Sequence, residues 1–175
     1  SHNYDNLLFL NGDRRALWVQ MSLVEADWTI DGDRLTEDPV AHGTIHFENG
    51  VTAYAVLSPR EIEWEANCER GSLTAWPGSV YKQREEGPPG YRGSPGMAAG
   101  RFPRFKSYSS NLRLVEDLVH SIDTGEPPIG GVRAAHAGME LIFASIESHQ
   151  RGGARVDLPL KGSTVFLKRD RAPRQ

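Results

Sequence analysis

The chain has 175 residues, 38% hydrophobic and 25% charged, which fits a soluble globular protein and excludes a disordered chain. A formal net charge of -3 gives no field favouring nucleic acid or an anionic membrane, and no apolar run approaches the length of a bilayer span. A lone cysteine, Cys68, excludes an intramolecular disulfide and suits a reducing compartment, the cytoplasm.

Tyr4, Leu7 and Leu8 recur at helical spacing, so residues 2–10 are expected to form a helix closed by Asn11-Gly12. Leu17, Val19, Met21 and Leu23 alternate with Trp18, Gln20 and Ser22, the period of a strand. Residues 27–40 are a polar excursion. Thr44 to Phe47 and Val51 to Leu57 flank Glu48-Asn49-Gly50, the signal of a hairpin. A further pair of runs, Ile62 to Cys68 and Leu73 to Trp76, turns at Arg70-Gly71. Residues 77–110, rich in proline and glycine, are expected to form one long loop. Leu112, Val115, Leu118, Val119 and Ile122 trace one stripe of a helix. Ala135, Gly138, Met139, Ile142 and Ile146 trace a second, ended by Gly152-Gly153. A short strand at residues 155–160 follows, and residues 161–175 form a C-terminal segment and tail.

Short turns between successive strands imply a mainly antiparallel sheet, and the amphipathic helices imply that one of its faces is covered. The fold class is therefore α+β, an open mixed sheet with helices packed on one face, spanning residues 1–160 as one domain. Trp18 and Tyr54 lie opposite the apolar stripes of their strands. Aromatics on an otherwise open face favour self-association, so a homo-oligomer is expected.

His2 and Asp5, three apart on the first helix, share one side of it. A histidine suits acid–base work near neutral pH, and a carboxylate one turn away can orient the ring. The same spacing also serves a solvated polar pair. His42 and His46 are four apart, but on a strand they stand about 13 Å apart and cannot share an ion. Glu116/His120 and His136/Glu140, four apart on helices, are simplest as solvated ion pairs, so no metal site is expected. Cys68 falls on an apolar stripe and is expected to be a buried, inert thiol. The loop 77–110 interleaves aromatics and cations, among them Tyr91, Arg92 and Tyr108, a mixture suited to a sugar or an anionic substrate. Gly130-Gly131 precedes a helix, but no strand leads into it, and it is expected to be a turn rather than a dinucleotide loop.

The run His2-Asn3-Tyr4-Asp5-Asn6-Leu7-Leu8-Phe9-Leu10-Asn11-Gly12 resembles the His-x-x-Asp-x-x-x-x-Leu-x-Gly segment of the Gfo/Idh/MocA oxidoreductases, relatives of glucose–fructose oxidoreductase and inositol dehydrogenase. Phe47-Glu48-Asn49-Gly50-Val51, residues 65–73, Thr124-Gly125-Glu126-Pro127-Pro128 and residues 153–160 resemble later segments of that family, in the same order. The resemblance implies a C-terminal, substrate-side domain whose N-terminal Rossmann half, binding NAD or NADP, is absent from this chain. It implies His2 as the acid–base residue at a sugar or cyclitol hydroxyl or carbonyl, and Asp5 beside the substrate. It also implies that pocket loops, here with Tyr91, Arg92 and Tyr108, help close on the substrate, and that the open sheet forms the oligomer interface. No cofactor is expected on this chain alone. The alternative is a stand-alone, non-catalytic α+β binding or dimerisation module.

Overall fold

The computed structural model describes residues 2–24, 30–31, 34–35, 40–56, 64–75, 79–85, 96–104, 106–163 and 165–167. Tyr91, Arg92, the start of the third strand run at residues 61–63, Trp76 and the basic tail from Lys168 lie outside these residues. In chain order the elements are α1 (His2–Leu10), β1 (Ala16–Val24), β2 (Ile30–Asp31), β3 (Arg34–Leu35), β4 (Val40–Phe47) and β5 (Thr52–Ala55). Then come β6 (Trp64–Cys68), β7 (Gly71–Ala75), β8 (Val80–Arg84) and β9 (Met97–Ala99). The chain ends with α2 (Ser110–Thr124), α3 (Val132–Gln150), β10 (Val156–Asp157) and β11 (Phe166–Leu167). The class is α+β, with open and mainly antiparallel sheets, as expected. Two compact units form: residues 1–57 with 109–175, and residues 58–108.

In the first unit a four-stranded sheet runs in the order β10-β1-β4-β5. β1 and β4 pair antiparallel from Ala16 opposite Phe47 to Val24 opposite Val40. Their alternation sends Val19, Met21 and Leu23 to the same face as Ile45 and Phe47, and all five are buried. α3 covers that face with Leu141, Ala144 and Ile146. β4 returns as β5 through Glu48-Asn49-Gly50, where Gly50 takes a φ of 83° and the Phe47 carbonyl accepts from the Gly50 N–H at 3.0 Å. The opposite face carries Trp18, Gln20, His42, Thr44, His46, Thr52 and Tyr54. Trp18 is stacked by the His46 ring at 5.2 Å and covered by the Arg155 guanidinium at 5.0 Å, while Tyr54 is 69% exposed.

β10 is only two residues long, so it leaves β1 unpaired beyond Val19 on that edge. The last turn of α3 fills the gap with side chains. The Met21 N–H donates to Ser148 Oγ at 2.8 Å, and the Leu23 N–H donates to His149 Nδ1 at 3.2 Å. Ser148 Oγ in turn donates to the Ala154 carbonyl at 2.6 Å. Hydroxyl and ring nitrogen thus satisfy buried edge amides that no strand reaches.

Three sequence expectations change here. The stripe of α3 that reaches the core is Gly138, Leu141, Ala144, Ser145 and Ser148 with Ile146, whereas Met139 is 40% exposed. Ser145 and Ser148 hide this face from an apolar count, because their hydroxyls are satisfied by carbonyls and pack as small groups. The segment that read as tail contributes β11, which pairs parallel with β3, Phe166 opposite Arg34. α2 is a helix where expected, but it buries none of its residues.

The second unit is a four-stranded antiparallel sheet in the order β6-β7-β8-β9. Two of its strands lie inside the stretch that read as one long loop. Val80 to Arg84 pairs with β7, Thr74 opposite Val80, and Met97 to Ala99 pairs with β8. β8 carries polar side chains on both faces and β9 is only three residues long, so periodicity gave no sign of them. Cys68 is exposed at the end of β6 rather than buried. Among the described residues, this unit contains no helix of its own to cover the sheet.

Candidate functional site

α1 is the element that carries His2 and Asp5, and α3 is what holds α1. Leu8 is buried between them, with Tyr4 and Leu7 packed alongside. The Tyr4 hydroxyl and Ser145 Oγ are 2.7 Å apart, and Ser145 Oγ donates to the Leu141 carbonyl at 2.7 Å. That leaves the tyrosine to donate to the serine. Gly138 makes the close approach possible, since a methyl group there would stand 2.6 Å from Asp5 Oδ1. The helix is thus pinned by Tyr4, Leu7 and Leu8, while His2 and Asp5 remain exposed, Asp5 beside Gly138 of α3. Neither takes a hydrogen-bond partner among the described residues.

Burial raises the Tyr4 hydroxyl above its ordinary value of 10.0. A group that stays neutral longer in the folded state than in the unfolded one contributes stability that is full below about pH 10 and is lost above it. Urea midpoints at pH 8 and pH 11 are therefore expected to differ less in Tyr4→Phe than in the wild type. At pH 8 the same variant is expected to lose about 1 kcal/mol, the worth of one hydrogen bond. An equal alkaline loss in both proteins would remove Tyr4 from this account.

The other predicted residues are placed differently. Tyr108 is half exposed in the second unit, with the Lys106 ammonium 5.4 Å from its ring centre. Tyr81 and Phe102 pack 6.0 Å apart in that unit. A cleft of about 380 Å³ there is lined by Cys68, Arg70, Ser72, Leu73, Tyr81 and Gln83. A smaller one beside Glu147, Arg151 and Ser163 lies in the first unit, and neither contains His2 or Asp5.

Of the expected ion pairs, neither forms within its helix. His120 pairs with Glu126 at 3.3 Å instead of Glu116, because Glu126 lies just past the Gly125 cap of α2. Glu140 accepts from the Leu160 N–H at 2.8 Å rather than pairing with His136. His42 and His46 both lie on β4, and among the described residues no three His, Cys, Asp or Glu side chains could hold a metal. His46 Nδ1 instead shares a hydrogen bond with Thr52 Oγ1 at 2.9 Å.

Gly130-Gly131 forms a turn and not a dinucleotide loop. Gly131 caps the N-terminus of α3 after a turn from α2, not after a strand. The space a Cβ would take at Gly131 is closed by the Pro128 carbonyl at 3.0 Å. No described helix is long and apolar enough to cross a membrane. The residues that sequence reasoning missed are Tyr4 and Ser145. A tyrosine on the buried side of the first helix carried the signal, but its partner lies 141 positions away.

No protein-family model matches the chain, and no curated protein matches it. Solved structures do. The aldose-aldose oxidoreductase of Caulobacter crescentus, crystallised with glycerol, superposes with a TM-score of 0.62 at 18% identity, over 90% of this chain and 45% of that one. An NAD-binding protein from Listeria innocua gives 0.58 at 18% identity, over 89% and 45%. The yvaA protein of Bacillus subtilis gives 0.59 at 13% identity, over 90% and 49%. The chain spans about half the length of the structures it matches. At these identities the likeness is one of fold: nine-tenths of this chain folds as about half of each of those structures does.

Proposed function

We propose that this chain is the substrate-side domain of an NAD(P)-dependent oxidoreductase that acts on a sugar or cyclitol hydroxyl or carbonyl, and that it is inactive alone. The observation that carries the reading is the match of nine-tenths of this fold to about half of the aldose-aldose oxidoreductase. In this reading His2 moves the proton at the reacting oxygen and Asp5 positions the substrate, with Tyr91, Arg92 and Tyr108 on the substrate side. The exposure of His2 and Asp5 on α1 agrees with a pocket completed by a second domain, and Tyr4 fixes the helix that presents them. The dinucleotide, NAD or NADP, belongs to that second domain. When bound, it supplies hydride acceptance, and this chain supplies proton transfer and substrate orientation. The protein works in the cytoplasm.

The test uses the 175-residue chain and the same chain extended upstream through the dinucleotide-binding half. The short chain is expected to reduce no NAD(P) with aldoses or inositols, and the long one to do so. His2→Ala in the long chain is expected to cut kcat by about 10²–10⁴, the usual worth of a positioned acid–base group. Turnover by the short chain, or full activity in His2→Ala, would contradict the assignment.

The open sheet face with Trp18 and Tyr54 serves self-association in this reading. Light scattering is expected to give an oligomeric mass for the chain and a monomeric one for Trp18→Asp/Tyr54→Asp. An unchanged mass would place the contact elsewhere.

A further inference from the structure

α2 is an amphipathic helix with no buried residue on its apolar side among the described residues. Its limits are set locally: Ser109 Oγ accepts from the Leu112 N–H at 3.4 Å, and Gly125 closes it with a φ of 76°. At about 100° per residue, Leu112, Leu114, Val115, Leu118, Val119 and Ile122 occupy one arc about 160° wide. All six are between 49% and 73% exposed. The polar arc holds every charged side chain of the helix, and Asp117 there fastens the following turn through the Ile129 N–H at 2.9 Å. The apolar arc contains no charge.

We propose that this arc is the docking surface for the dinucleotide-binding half, which would meet it with an uncharged, apolar surface. The inference rests on the proposed function and gives that second half a place to bind. Two observations favour this occupant over a second copy of α2. A helix–helix seam needs only the narrow stripe Leu112, Val115, Val119 and Ile122, whereas Leu114 and Leu118 widen the arc to that of a helix set against a globular core. The matched structures are also about twice as long as this chain, so a body of about equal size accompanies this fold in them.

Hydrogen exchange followed by mass spectrometry on the 175-residue chain and on the upstream-extended chain tests this. The α2 amides are expected to exchange about tenfold more slowly in the long chain, and Val115→Glu/Val119→Glu is expected to remove that protection. A long chain that reduces NAD(P) while α2 exchanges as fast as in the short one overturns the docking surface and leaves the proposed function standing. A long chain that neither binds nor reduces NAD(P) overturns the function, and the docking surface with it. Light scattering on the short chain supplies the remaining arm. A mass that falls in Val115→Glu/Val119→Glu would show that α2 pairs with its copy and would overturn the proposal, while an unchanged mass supports it.

Discussion

Gly43→Ala is expected to destabilise the chain by about 3 kcal/mol, at the upper end of the usual cost of overpacking. For a protein of this size that is a fall of roughly 6–12 °C in Tm. Gly43 sits on the central strand β4 opposite Met21. A methyl group there would stand 2.1 Å from the Gln20 carbonyl oxygen and 2.8 Å from the Met21 Cα. Both are backbone atoms, so no side chain can swing away to make room. β1 and β4 would have to separate where both supply the core. Gly50→Ala is the informative comparison, since a methyl group there meets nothing within 4 Å and only its φ of 83° opposes it. A loss of about 1 kcal/mol is expected for that variant. Urea unfolding of both, read by the shift in midpoint at constant slope, separates crowding from backbone conformation. Equal stability of Gly43→Ala and wild type would contradict the described approach of β1 to β4.

Ser148→Ala is expected to lose about 3 kcal/mol although it removes a single oxygen. The side chain is fully buried and serves two backbone groups at once, accepting from Met21 and donating to Ala154. Removing it orphans one buried donor and one carbonyl, each worth about 1–3 kcal/mol when left unpaired. Ser145→Ala is expected to cost about 1 kcal/mol, because it gives up the Tyr4 contact and a bond within its own helix. Thermal and urea unfolding of the two variants would rank them. A reversed order would mean that β1 does not depend on α3 for its edge.

The parts of the fold legible in the sequence were those with local signals. The first helix, β1, the Asn49-Gly50 hairpin and both long helices follow from spacing and turn chemistry within a few residues of each element. β8 and β9 were not legible, since β8 is polar on both faces and lacks the alternation that burial imposes, and β9 at three residues is too short to show a period. The buried face of α3 was half legible, because serines whose hydroxyls meet carbonyls behave as core without looking apolar. Placement of α2's stripe could not be read at all: amphipathicity shows that a face needs a partner, not whether this chain supplies one. His2 and Asp5 were found through the resemblance and lie together on α1, but nothing in their local spacing separates them from a solvated pair. What anchors them, Tyr4 on Ser145, is a contact between distant positions and leaves no local trace.

The side-chain caps on the edge of β1 also bear on how the sheet chooses its alignment. The N–H groups of Met21 and Leu23 point toward α3, and that of Ser22 between them points toward β4. Sliding β1 by one residue would turn the wrong amides toward Ser148 and His149, and would rotate Val19, Met21 and Leu23 out of the core in the same step. The helix therefore acts as a gauge for the strand: only one alignment satisfies both the hydroxyl and the ring nitrogen.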